Sequence, residues 1–114
     1  MAKKSEPVRE RVALGGTNVF ADLGYPDAEE RQTQLRLAYA INRIIEQRRL
    51  TQSAAAEILG VNQPKISALL RYKLEGFSVE RLMTFLTALD RDIEIRIKKK
   101  SQRKTPGRIV VVAA

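Results

Sequence analysis

The sequence from Leu50 to Arg71 reads LTQSAAAEILGVNQPKISALLR, and its spacings are those of two short helices joined by a tight turn. Counted from Gln52, the fifth residue is Ala56, at a point where crossing helices leave no room for a larger side chain, and the ninth is Gly60. Glycine there supplies the positive φ that ends the first helix. The residues expected to face inward and close a small core are Ala55, Ala56, Leu59, Val61, Ile66 and Leu69.

Polar residues suited to helix N-termini precede both of these segments. Thr51 and Asn62 can each accept a backbone N–H from the first turn that follows. Pro64 is tolerated in the second helix because first-turn N–H groups have no intrahelical partner. The stretch therefore predicts a helix-turn-helix, whose second helix can lie in the DNA major groove with its N-terminal side chains against the base edges.

Composition limits the chemistry that the chain can perform. At 114 residues and 44% hydrophobic content, the chain has room for one domain with one core. Cysteine and histidine are absent, which removes disulfides, thiolate metal sites, the commonest general base and the commonest metal ligand. No carboxylate pair lies in an apolar setting that would tune it for catalysis. We therefore expect no enzyme activity, no cofactor and no bound metal.

The charge balance favours a polyanionic partner, and nucleic acid comes first. Twenty-one Lys and Arg against 13 Asp and Glu give a formal charge of +8 and a pI near 10.2. The stretch from Arg48 to Lys73 has five basic residues and a single acid, Glu57, so the excess accompanies the motif. No apolar run approaches the ~20 residues that span a bilayer, and no signal peptide is recognisable. These features predict a cytoplasmic protein with no membrane partner.

Helices are also predicted on both sides of the motif. Residues 1–18 show no sustained period and are predicted to form a flexible arm. A helix should start at Asp27, with Glu30 completing a capping box, and run to about Arg48, with an apolar stripe of Leu37, Ile41, Ile44 and Ile45. Ser78 should cap a last helix to about Leu89, lined by Val79, Leu82, Phe85, Leu86 and Leu89. The fold class is therefore mainly α, a bundle of four to five short helices.

A change of period after Asp92 predicts one β-strand. Ile93, Ile95 and Ile97 alternate with charged residues, as in a half-buried strand, and such a strand needs a partner. One candidate is the segment 109–112 of the same chain, and the other is the same strand of a second subunit. The second alternative, which we prefer, gives a two-fold dimer that places two recognition helices roughly 34 Å apart on a palindrome. The domain then covers residues 19–98, and residues 99–114 form a basic tail with a second candidate strand.

Four segments together resemble a known family. They are Asn18–Gly24 (NVFADLG), Leu50–Gln52 (LTQ), Gly60–Ser67 (GVNQPKIS) and Gly76–Ser78 (GFS). Over about residues 18–97 the chain resembles XRE-type regulators with a lambda-repressor-like fold, and among these the HigA-like antitoxins. The resemblance implies a homodimer that binds its own palindromic double-stranded DNA operator and neutralises a HigB/RelE-like ribonuclease toxin. The extension after Ile97 departs from the shorter family members.

The resemblance also assigns roles to polar side chains of the motif. In this class of fold the glutamine that opens the first helix, here Gln52, reaches a DNA phosphate and braces the one that opens the second, here Gln63. The amide of Gln63 can make a bidentate contact with adenine, which is worth about 1–3 kcal/mol of discrimination. Lys65 is expected to be exposed, and Arg71 and Lys73 to neutralise phosphates. The full set of predicted DNA-binding residues is Thr51, Gln52, Asn62, Gln63, Lys65, Ser67, Arg71 and Lys73.

Alternatives remain for the site and for the whole chain. Gln63 could only cap its own helix, and Arg71 could pair with Glu75 on the surface. The chain could instead be a protein-interaction module that grips a basic toxin nuclease through an acidic clamp of Asp22, Asp27, Glu29 and Glu30. A third alternative, RNA or membrane-surface binding through the basic tail, lacks the exposed aromatics or amphipathic helix that it needs.

Overall fold

The computed structural model describes residue 24 and residues 26–113, and this part of the chain contains four helices. The helices are α1 (Ala28–Gln47), α2 (Gln52–Leu59), α3 (Gln63–Leu70) and α4 (Val79–Ala88). Their number and order agree with the predicted mainly α bundle. The predicted arm over residues 1–18 and the Asp22 of the acidic clamp lie outside the described residues.

Helix α1 is the central helix of the bundle, and its predicted apolar stripe is confirmed. All four stripe residues are buried, and Ile41 is fully enclosed. The predicted capping box is wrong, because the Asp27 side chain makes no bond to the backbone of the first turn. Its Oδ1 instead accepts from Nε of Arg31 at 2.8 Å. This hydrogen bond lowers the pKa of Asp27. A cation one turn away has therefore replaced the expected cap.

One hydrophobic core joins all four helices. Helix α4 lies along α1, and the α2–α3 pair covers the remaining side of both. The rings of Phe77 and Phe85 meet edge to face, with centroids 6.1 Å apart. The side chains with essentially no exposure come from every part of the bundle and include Ile41, Ile66, Leu69, Leu82 and Leu89. The inward-facing residues predicted for α4 are thereby confirmed, apart from Val79, which is only half-buried.

The four helices end in the same way, with a residue of positive φ and a backbone bond that closes the last turn. Gly60 is that residue after α2, but α1, α3 and α4 end at Arg49, Tyr72 and Asp90, with φ of 54°, 61° and 66°. The closing bonds run from each following N–H to a carbonyl five residues back: Leu50 to Ile45, Val61 to Ala56, Lys73 to Ala68 and Arg91 to Leu86. These are Schellman ends. They stop each helix abruptly and so fix the short connections of the motif.

Side chains of α1 and of its C-cap residue donate hydrogen bonds to backbone carbonyls of the other elements. Nε2 of Gln34 donates to the carbonyl oxygen of Phe77 at 2.9 Å, and Nδ2 of Asn42 donates to that of Leu69 at 3.0 Å. At the far end, Nη2 of Arg48 donates to the carbonyl oxygen of Leu89 at 2.7 Å. The bonds to Leu69 and Leu89 satisfy carbonyls at the C-terminal ends of α3 and α4, where helices leave carbonyls unpaired, and the bond to Phe77 holds the loop before α4. They also fix α3 relative to α1.

The predicted C-terminal strand is absent from the single chain. No residue from 92 to 113 lies in a strand, and Ile95 and Ile97 are 74% and 94% exposed. The hairpin with residues 109–112 is not formed either, because this segment returns to α1. There the N–H of Ile109 donates to Oε1 of Glu29 at 3.2 Å, and Val111 packs against the core. A strand needs a neighbour for its backbone groups, and in the monomer the 93–97 segment has none.

Candidate nucleic-acid interface

The turn between α2 and α3 has the geometry that the sequence predicts. Gly60 lies in the left-handed region at φ 70° and ψ 35°, and its N–H bonds to the last turn of α2. Ala55 and Ala56 are buried where the helices cross, with Ile66 and Leu69 facing them from α3. Methyl side chains at the crossing let the two backbones approach closely. The pair is therefore a rigid unit whose polar residues keep fixed relative positions.

Both predicted N-caps are confirmed. Oγ1 of Thr51 accepts from the N–H of Ala54 at 3.0 Å, and Oδ1 of Asn62 accepts from the N–H of Lys65 at 2.9 Å. Each cap uses only an oxygen acceptor. The hydroxyl proton of Thr51 and the amide N–H groups of Asn62 remain donors at an exposed position, where they can meet phosphate oxygens.

The structure exposes most of the predicted DNA-binding residues at the N-terminal ends of α2 and α3 and just beyond α3. Gln63 is the first residue of α3, is exposed, and has a full amide for bidentate bonding to a base. Ser67, one turn further along α3, is half-buried. The exposed members of the set are Thr51, Gln52, Asn62, Gln63, Arg71 and Lys73. Such a surface offers short polar contacts at the helix starts and cations beyond them.

Lys65 departs from its predicted exposure. Its side chain is half-buried, and Nζ lies 4.5 Å from the centroid of the Phe77 ring. A Cβ built on Gly76 would stand 3.4 Å from the same Nζ, so the lysine is packed against the loop that precedes α4. A cation over an aromatic face is attracted by the ring quadrupole. Lys65 therefore braces α3 against this loop and is a weaker candidate for a base contact than Gln63.

Two further side-chain pairings can be checked in the described region. Nε of Arg71 donates to the backbone carbonyl of Ser67 at 3.3 Å, and no ion pair joins it to Glu75 there. Its remaining guanidinium N–H groups stay available at the surface. No hydrogen bond joins the side chains of Gln52 and Gln63 within the described residues, so the bracing of one by the other stays a prediction.

Sequence reasoning missed several contributors to this surface. Ser53 and Pro64 are exposed beside Gln52 and Gln63, and position in the first turn was the signal that could have found Ser53. The supporting role of Gln34 and Phe77 gave no local signal, because their bond joins residues 43 positions apart. Most members of the predicted site are thus exposed, their contact with DNA stays a prediction, and the contacts that hold the surface in place were not predicted.

A short helix packs against its neighbour across a glycine turn, is capped at its start and exposes an amide in its first turn. These features define the class of helix-turn-helix DNA-binding proteins. A family model described as a helix-turn-helix domain matches residues 19–98. A solved structure described as a candidate XRE family transcriptional regulator is 67% identical, with a TM-score of 0.75, covering 78% of this chain and all of that one. The chain belongs to this helix-turn-helix family and is of the XRE type.

No match is found among curated proteins. Within the described residues, none of the helices combines the length and the apolar character needed to cross a membrane. The family model and the similar solved structure agree with the motif that the structure shows.

Proposed function

We propose that the chain is a sequence-specific repressor of double-stranded DNA that binds a palindromic operator in its own upstream region. The observation that carries this proposal is the placement of Gln63. Its amide is exposed at the first residue of a helix that is buried on its other side and anchored through Leu69 and Phe77. Because the helix that carries Gln63 is already fixed, only the side chain has to be ordered when it binds a base edge.

The charged residues around Gln63 support a division of labour. Arg71 and Lys73 follow α3 and are exposed, so they can neutralise phosphates on the backbone that borders the groove. Phosphate contacts give affinity and salt dependence, whereas base contacts give preference for one sequence. The two kinds of residue should therefore be separable by mutation.

The deciding experiment is fluorescence anisotropy of the full chain on a duplex from its own upstream region and on a scrambled duplex, at two salt concentrations. A specific regulator should prefer the native duplex by about a thousandfold or more. Equal and steeply salt-sensitive binding to both would overturn the proposal. Gln63→Ala should then lower the preference by about 5- to 150-fold per half-site, since one bidentate contact is worth about 1–3 kcal/mol.

Arg71→Gln is the matched control for Gln63→Ala. It removes a cation from the same exposed surface and should weaken binding to both duplexes by the same factor, with a salt slope lower by about 1 per half-site. An unchanged preference in the Gln63 variant would remove this residue from the reader role and leave cap formation as its function.

We further propose that the operator-bound form is a homodimer joined through the segment 93–97. Ile95 and Ile97 are largely exposed in the single chain and alternate with charged residues, as an unpaired strand does. Pairing with the same segment of a second copy would bury them and satisfy the open backbone edge. Sedimentation of the wild type and of an Ile95→Lys variant tests this, because only the wild type should be dimeric. A monomeric wild type at micromolar concentration would refute it.

The antitoxin role, binding of a HigB/RelE-like toxin, is proposed from the family resemblance. Two members of the predicted acidic clamp already have partners within the chain. Asp27 binds Arg31, and Glu29 accepts a hydrogen bond from the N–H of Ile109. Glu30 remains exposed at the start of α1. Co-expression with the product of the adjacent reading frame tests the role. Rescue of a growth arrest by Gln63→Ala as well as by wild type would separate toxin binding from DNA reading.

A further inference from the structure

A basic segment after the helices is held in a defined shape that the helix-turn-helix does not need. From Lys98 to Arg108, hereafter the basic strap, six of eleven residues are Lys or Arg and none is Asp or Glu. Like charges so close together repel each other. A solvated tail would relieve that repulsion by spreading out, but this strap is bonded within itself and its end is bonded to α1.

The chain before and after the strap is bonded to opposite ends of α1. Eight residues before the strap, a carboxylate oxygen of Asp90 lies 3.4 Å from Arg48, which also donates to the carbonyl oxygen of Leu89. After it, the N–H of Ile109 donates to Glu29. The 19-residue rise from Glu29 to Arg48 is about 28 Å at 1.5 Å per residue, so the chain from 90 to 109 returns along the length of α1.

Two cations of the strap bind its own oxygen atoms. Arg103 donates to the hydroxyls of Thr105 and Ser101, at 3.0 and 2.9 Å, and to the carbonyl of Pro106 at 3.3 Å. Lys100 donates to the carbonyls of Ser101 and Arg103. These bonds close a small loop around one guanidinium. The loop therefore has a shape of its own and holds its remaining cations in place.

Three lysines remain for an external partner. Lys98, Lys99 and Lys104 are exposed, and no hydrogen bond or ion pair to another described residue engages them. Arg108, at the far end, lies near Arg36 on α1, where burial lowers the pKa of Arg36, the charge of Glu29 raises it and the charge of Arg108 lowers it. The C-terminal end of the strap thus lies beside the N-terminal half of α1, and the three lysines precede Arg108 in the chain by four to ten residues.

That half of α1 is next to the start of the recognition helix. Gln34 binds the carbonyl of Phe77, and Lys65, in the first turn of α3, lies over the Phe77 ring. Glu29, which holds the end of the strap, is five residues before Gln34, or about 7.5 Å along the helix. The C-terminal end of the strap therefore lies on the part of α1 that binds the loop packed against Lys65 of α3.

We propose that the basic strap is a second DNA-binding element, whose Lys98, Lys99 and Lys104 contact phosphates flanking the bases read by α3. This inference rests on the proposed DNA binding and extends it. Phosphate contacts made outside the major-groove site add affinity for any sequence and lengthen the footprint without adding preference.

The test is the salt dependence of binding for the K98Q/K99Q/K104Q variant of the full chain, measured by anisotropy on the native and scrambled duplexes. Each lost phosphate contact lowers the slope of log K against log salt by about 0.9, so the slope should fall by about 2.7 for each bound subunit, or about 5.4 for the dimer. The advantage of wild type over the variant should then shrink by about 40-fold per subunit between 50 and 200 mM salt. The ratio between native and scrambled duplex should stay constant.

Two control variants separate contact from net charge. K98R/K99R/K104R keeps the charges and should keep the slope of the wild type. R43Q/R91Q removes two exposed charges outside the strap and the motif, and should lower the slope by less per charge than the strap variant does. Far-UV circular dichroism should show the same helix content in all of them, since these side chains are exposed.

An unchanged slope in the strap variant would overturn this inference, and native-duplex preference in the same titration would show that the recognition helix works without the strap. Equal loss per charge in R43Q/R91Q would reduce the strap to bulk charge and also overturn it. A variant that binds duplex DNA normally but loses affinity for an RNA hairpin of matched length would assign the strap to RNA instead. Absence of any preference in the wild type would refute the proposed function itself.

Discussion

Replacing Gly60 with alanine tests whether the turn of the motif depends on backbone conformation alone. Gly60 has a φ of +70°, and a Cβ built on it meets no atom within 4 Å. The added methyl therefore causes no clash, and the cost is that of placing an L-residue in the left-handed region, about 1–2 kcal/mol. For a domain of this size we expect the melting temperature to fall by about 4–16 °C. Gly60→Asn should cost less, because asparagine tolerates this region.

The measurement is thermal and urea unfolding followed by far-UV circular dichroism. Gly107→Ala is the matched control, since Gly107 also has open space around its Cβ but does not have a positive φ. That change should be neutral or stabilise by up to about 1 kcal/mol, through a less flexible unfolded chain. Below its melting temperature, the Gly60→Ala protein should keep its preference for the native duplex. An alanine variant as stable as the wild type, or an asparagine variant less stable than alanine, would refute this reasoning.

Two further changes test contacts found only in the structure. Lys65→Ala should lower stability by about 0.5–1 kcal/mol in the absence of DNA, because the contact with the Phe77 ring is lost, and an unchanged melting temperature would dismiss this contact as a brace. Asp27 has a lowered pKa, so its contribution to stability is present above the pKa of the unfolded chain and disappears as the pH falls through the folded value. Asp27→Asn should therefore be less stable than wild type at neutral pH and equal to it in strong acid, and a constant difference in urea midpoints across that range would contradict this assignment.

The parts of the fold that the sequence predicts well depend on short-range chemistry. Thr51, Gly60 and Asn62 act within four residues of themselves, so their types at those positions are enough to place two helix starts and one end. The apolar period of α1 is equally local, because the stripe repeats every three or four residues. The position of Gln63 as the first residue of α3 follows from the cap at Asn62.

The parts that the sequence does not predict depend on residues distant in the chain or on competition between neighbours. The predicted capping bond of Asp27 does not form, because the guanidinium of Arg31, four residues later, binds its carboxylate instead. The sequence predicts that Lys65 is a surface residue, because no residue near it in the chain indicates that its side chain packs on the Phe77 ring. The return of the chain to α1 rests on a bond between residues 80 positions apart, and no periodicity in the sequence indicates it.

The way in which α1 grips α3 has a consequence for how this protein can change. Asn42 holds the end of α3 through a backbone carbonyl, as Gln34 holds the loop that follows, so neither bond depends on the side chain at the contacted position. The outward-facing residues of α3 can then be substituted without weakening the contacts that hold α3 against α1. Under the proposed reading role of Gln63, a substitution at this one position would change the preferred operator while the fold is kept. The same separation makes the domain a suitable starting scaffold for selecting binders to new DNA sequences.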